Sequence, residues 1–215
     1  KILKKYLQIL DNNSKKKDSI GWHFHSIHPS GNPLIYNTSW TSNDLHEKAL
    51  CYKILDYKFF PQIFRSGALI ERNDLSLWLE NLIHFDFSNR SRKRLNNIEY
   101  LNDWSGAPSD WTHYNPSFYD FKKKGNMKRT IFRTLDIDTN SCIIEEKDVV
   151  EAFRLSQKKG AILSISTHDR RDILPEINYF LNILEKVSKQ YPKVNIDFCS
   201  ALNAAKYFTK KKNIR

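Results

Sequence analysis

The sequence predicts an α/β protein on a mainly parallel sheet, and three observations carry that expectation. Short apolar, strand-like runs alternate with segments of helical periodicity along most of the chain. Chemically versatile side chains recur where those apolar runs end, as they do in parallel α/β folds, whose loops beyond the strand ends are free to vary. The 215 residues, 40% hydrophobic and 13% aromatic, suffice for one well-buried domain and are too few for two generous ones. An open doubly wound sheet and a barrel both satisfy this pattern.

The elements follow in order. Lys1 to Leu10 is patterned as a helix, and Ile20 to His25 as a strand after a polar turn. Asp44 to Tyr57 is helical, and the apolar Phe59 to Arg65 is short enough for a buried strand. Asn73 or Asp74 is placed to cap a helix in which Leu75, Trp78, Leu79 and Leu82 share one face. Ile83 to Ser88 is the next strand. Residues 89–128, with Gly106, Pro108, Pro116 and Gly125, form a long irregular excursion, and loops of that length in compact domains tend to carry function. Alternation resumes with a strand over Thr130 to Ile137 and a helix from Glu145 to Lys159, stopped by Gly160. "AILSISTH" is a buried strand ending at His168, Pro175 to Gln190 a helix, "VNIDFCS" a strand and Ala201 to Phe208 a last helix.

Composition narrows the function classes. A net charge of +11 attracts nucleic acid, anionic glycan or lipid head groups, but much of it lies in solvated runs such as Lys15–Lys17, Lys122–Lys124 and Lys210–Lys212. There is no zinc-finger spacing and no RNA-binding signature, so a nucleic-acid partner is not expected. Cys51, Cys142 and Cys199 are too scattered for a disulfide framework or a thiolate metal cluster, which fits a reducing, cytoplasmic setting. No apolar run reaches the roughly 18 to 20 residues that a spanning helix needs.

The ends of the predicted strands carry His23 and His25, Arg65, Asp86 with Ser88, and His168 with Asp169. His23 and His25 flank one residue, so strand alternation points both imidazoles to the same side, as two cis ligands of one ion require. His28 follows in the loop. His168 stands directly after an apolar strand in "THDRRD", where an imidazole suits proton transfer near neutral pH and Asp169 or Asp172 can orient the ring. Asp172 can equally cap the next helix. Arg65 in "IFRSG" can hold a carboxylate or an oxyanion in bidentate fashion. "NDWSGAPSDWTHY" supplies Asp103, Trp104, Trp111 and Tyr114, whose aromatic faces either meet a sugar ring or pin the loop to the body of the protein.

Taken in order, the histidine-bearing strand end, "FRSG" with "NDLSLWLENL", "FDFS", the "DW" loop and "STHD" resemble the polysaccharide deacetylase (NodB-homology) superfamily over about residues 19–208. That resemblance implies a distorted (β/α) barrel and a metal-dependent carbohydrate esterase that uses a divalent ion, zinc first among them, on a saccharide or polysaccharide substrate. His23 and His25, or one of them with His28, then correspond to the two histidine ligands. Arg65 corresponds to the arginine of the third motif, Asp103 and Trp104 to the Asp-Trp of the fourth, and His168 to the catalytic acid. The spacing departs from the usual H-[ST]-x-x-H, and Ser66 and Gly67 replace the proline and aromatic after the arginine. Family members also carry an aspartate pair on a strand before the histidines. Only 22 residues precede His23, with Asp11 and Asp18 in a polar turn, so the first strand of a single domain over 1–215 is expected to lie upstream of Lys1. If the chain lacks it, a non-catalytic carbohydrate-binding relative is implied instead.

Overall fold

A computed structural model describes residues 4–5, 7–8, 19–25, 42–67, 71–91, 104–138, 143–168 and 171–210. The predicted α/β class holds. Strands β1 (Trp22–Phe24), β2 (Ile63–Ser66), β3 (Phe85–Asn89) and β5 (Thr130–Asp136) run parallel in that spatial order. Strand β6 (Ser164–Ser166) adds parallel to the second half of β5, and the two-residue β4 (His113–Tyr114) adds antiparallel to its first half. Described residues 4–5 and 7–8 are helical, in line with the expectation for the amino-terminal segment.

Register sorts side chains onto two faces. Phe64, Ile131 and Leu135 point to the face covered by α1 (Ser42–Tyr57), α2 (Asn73–Leu79), α3 (Glu146–Lys159) and α4 (Leu174–Gln190). There Phe64 packs with Leu50, Leu75, Leu79 and Ile83, while Leu135 packs with Val149, Phe153, Leu184 and Val187. On the opposite face Ile63, Phe87, Phe132 and Ile162 lie under Ala205 of α5 (Ala201–Lys210). Every residue of β5 is buried because both of its faces are covered, the usual condition of a parallel strand.

Local chemistry fixes the helix ends. Glu145 and Asp148 form a reciprocal capping box on α3, and Gly160 ends that helix at φ 84°, a conformation that costs glycine little. Asp172 accepts the amide of Leu174 at 3.0 Å in a turn one residue ahead of the N-cap, Ile173, which itself makes no side-chain cap bond, so the expected cap is corrected to a turn. The cap predicted for α2 is corrected: Arg72 occupies the N-cap without a side-chain bond, and its guanidinium grips Asp74. Asn73 is diverted, since its side-chain oxygen accepts the amide of Phe121 at 2.8 Å and its nitrogen donates to the carbonyl of Tyr119.

Two further expectations change. "VNIDFCS" belongs to no strand; residues 194–200 pair with no other strand among the described residues. The excursion over 89–128 is less irregular than its composition implies, because β4 and a hairpin closed between Asn115 and Gly125 are built into it. The sheet shows no closure into a barrel among the described residues.

Candidate functional site

The polar groups of the sheet gather at the carboxyl end, on the same face that α5 covers lower down. On β1, Trp22 and Phe24 turn inward to stack around the buried His46, which leaves His23 and His25 exposed on the other side. His23 Nδ1 lies 2.8 Å from the carbonyl oxygen of Arg65, its register partner. A carbonyl only accepts, so Nδ1 carries the proton and Nε2 keeps its lone pair. His25 Nε2 is 3.0 Å from His23 Nε2, with the two rings nearly perpendicular at 85°. With the lone pair of His23 Nε2 as acceptor, this is an N–H···N bond donated by His25, and the gap is a few tenths of an ångström shorter than the about 3.3 Å between two nitrogens bound tetrahedrally to one ion at about 2.0 to 2.1 Å.

Gly67 allows this approach. A Cβ there would lie 2.4 Å from the carbonyl oxygen of Phe24 and 2.6 Å from the Cα of His25, so only a residue without one lets β2 end beneath the second histidine. Burial of the ring is the main reason that the pKa of His23 falls below its ordinary value; the bond to Arg65 opposes this, and the charges of His25, Arg65 and His168 add to it. His168 therefore lies within electrostatic reach of His23. Imidazoles well over a hundred residues apart in sequence share one mouth.

His168 follows β6 and is exposed, with Nδ1 2.8 Å from Oδ2 of Asp138 and its own amide donating to the same oxygen at 3.0 Å. The Asp138 side chain is 1% exposed. Desolvation raises its pKa, but the two bonds from His168 and the charge of that ring outweigh it, so the carboxyl titrates below its ordinary value. A proton shared with Asp138 at Nδ1 leaves Nε2 of His168 facing outward, the arrangement of an oriented acid or base.

Between these groups lies a tied floor. The guanidinium of Arg65 donates to the carbonyl of Phe87 at 2.6 Å, to Asp136 at 3.0 Å and to the hydroxyl of Ser166 at 2.8 Å, and Ser166 also donates to Asp136. Arg65 thus stitches β2 to β3, β5 and β6, rather than presenting an open fork to a ligand as its position in sequence implied.

The structure corrects other expectations. Asp86 and Ser88 point to the opposite face, where Asp86 is fully buried and bonds the Ser88 hydroxyl and Arg129. Register decides this, because Asp86 is one residue out of step with the mouth-facing Phe87. Trp104, Trp111 and Tyr114 are 0%, 1% and 3% exposed and form core, so none of these three offers a face to a sugar and they pin the loop to the body of the protein. Trp104 packs with Phe121, Trp111 lies under Arg133, and the Tyr114 hydroxyl donates to the carbonyl of Phe121. His28, Asp103 and Asp169 lie outside the described residues. Asp138, not Asp172, orients His168.

Sequence reasoning missed Asp136, Asp138 and Ser166. Their signal was present in "LDID": two carboxylates alternate at the end of the most apolar strand, the same pattern that singled out His23 and His25.

His23 and His25 bring two ring nitrogens together, and among the described residues no group of three histidine, cysteine or acidic side chains is placed to hold a metal ion. No helix among the described residues is long and apolar enough to cross a membrane. Compared with family models, curated proteins and solved structures, the chain finds no match. Fold and site together define an α/β protein with a histidine-rich mouth at the carboxyl end of a mostly parallel sheet.

Proposed function

We propose that this mouth is the centre of a metal-dependent hydrolase that removes an acetyl group from a saccharide or polysaccharide, on a distorted (β/α) barrel to which the described sheet belongs. One observation carries the reading: the His23–His25 nitrogen pair, 3.0 Å apart, opens on the same sheet end as the His168–Asp138 dyad. A divalent ion such as zinc, held by His23 and His25 with a further ligand from elsewhere in the chain, would polarise the acyl carbonyl and acidify a bound water.

The residues of the chain supply the rest. The oxygen of a water bonds to the acyl carbon as its proton passes to solvent, the bond between that carbon and the sugar nitrogen or oxygen breaks, acetate forms, and His168 gives a ring proton to the departing amine or alkoxide. Asp138 positions the His168 ring through Nδ1. Arg65 acts through its neighbours, holding Asp136 with its side chain and the tautomer of His23 with its carbonyl.

The test is zinc content and acetate release from N- and O-acetylated oligosaccharides, measured on the full chain and two variants. His25→Ala is expected to lose both metal and turnover. His168→Ala is expected to keep the metal and lose about 10² to 10⁴ in rate. Undiminished acetate release by His168→Ala defeats the proposal.

A further inference from the structure

The loop between β3 and β5 builds a second feature that the chemistry above does not use. The turn over Gly106–Asp110 and the lysines Lys122, Lys123 and Lys124 face each other across an open groove of about 430 Å³. Bonds from Asn89 to the carbonyl of Pro108 and from Ser91 to that of Ala107, each 2.9 Å, fasten one wall to the carboxyl end of β3. The groove therefore lies at the sheet end that carries the histidines. The lysine wall is equally fixed: Ser117 donates to Lys123 and Gly125 to Asn115, both at 2.8 Å, and a Cβ on Gly125 would meet the Cα of Ser117 at 2.4 Å.

Two lysines of that wall, Lys123 and Lys124, differ from the helix lysines in their pairing. Lys48, Lys186 and Lys189 pair with Asp44, Glu146 and Glu185 at 2.7 to 2.9 Å, whereas Lys123 and Lys124 make no ion pair among the described residues. Across the groove stands Asp110, which accepts from the Thr112 hydroxyl at 2.8 Å. On the same hairpin Phe118 and Tyr119 are 44% and 90% exposed.

We propose that this groove binds an anionic saccharide chain, one bearing carboxylate or sulfate groups. This rests on the saccharide reading above and names its substrate class. The ammonium groups meet the anionic substituents, and Asp110 accepts from sugar hydroxyls. Nucleic acid fits less well, since a facing carboxylate repels a phosphate backbone that has few donors to offer it. An open groove also suits a polymer lying across it better than an enclosed small ligand.

The experiment is titration of the full chain with polygalacturonate, dextran sulfate and neutral dextran at low and moderate salt, without added metal and repeated on His168→Ala. Because binding is read without turnover, failure of the hydrolase reading leaves this result standing. Lys123→Ala with Lys124→Ala is expected to weaken binding of an anionic polymer about five- to tenfold. Lys158→Ala with Lys159→Ala, an equal charge loss at the exposed end of α3, is expected to leave it unchanged, with matched thermal midpoints confirming that both variants fold. Absence of polyanion binding, equal weakening by the two double variants, or tighter Lys123- and Lys124-dependent binding of an RNA homopolymer overturns the proposal.

Discussion

Acid should loosen the strand that carries His23, and the cause is His46. This imidazole is 2% exposed, accepts the indole N–H of Trp22 at 2.5 Å, and stacks on Phe24 with ring centroids 4.2 Å apart. Burial lowers its pKa from 6.5 to about 3, with the charges of Arg129 and Arg72 adding to the effect. Between those two values the unfolded chain binds a proton that the native state refuses, so stability is complete above 6.5 and falls as the pH falls. By pH 5, some 1.5 pH units below 6.5, the loss is about 2 kcal/mol at 1.36 kcal/mol per unit. For a chain of this length that is about 4 to 8 °C in thermal midpoint.

The perturbation is His46→Gln, which keeps an acceptor for Trp22 and removes the titration. Urea unfolding of both proteins at pH 5, 6 and 7 is the assay. A comparison is needed because Glu71, pushed up to about 7 chiefly by burial, titrates in the same window with the opposite sign; it is present in both proteins and cancels. The stability advantage of the native protein over the variant should shrink by about 2 kcal/mol from pH 7 to pH 5. If the two stability curves run parallel, His46 is not a neutral, desolvated imidazole and the reasoning fails.

Other outcomes follow from the same geometry. Asp138→Asn should leave zinc binding intact while lowering acetate release by about a hundredfold, because His168 loses the carboxylate that orients its ring. Gly67→Ala replaces no proposed metal ligand, yet its Cβ would press on the Cα and Cγ of His25, so calorimetry should find zinc affinity down by about tenfold or more. Arg129→Met leaves Glu71 and Asp86 buried without the guanidinium that lies 2.7 Å from each, and denaturant unfolding should register a loss of about 3 to 5 kcal/mol.

Much of the fold was legible because a parallel strand buried on both faces must be a short apolar run, and a covering helix must keep one apolar stripe. The strand pattern located β1, β2, β3, β5 and β6 to within a few residues. It placed a strand at "VNIDFCS" because apolar alternation records what a segment can do, whereas pairing needs a free edge at the right height. Composition gave no hint of β4, since two residues carry no periodicity and their pairing with Ile131 and Phe132 is a long-range event.

The amino-acid sequence by itself determined which imidazoles can act together within one strand: alternation puts His23 and His25 on one side however the chain folds around them. It also determined that an imidazole stands at the end of the later apolar strand. Only the tertiary structure decided that His168 takes Asp138 as its partner, that Arg65 turns inward to Asp136, and that the tryptophans of the long loop become core. Those choices depend on register between strands far apart in the chain, where a slip of one residue exchanges mouth for core.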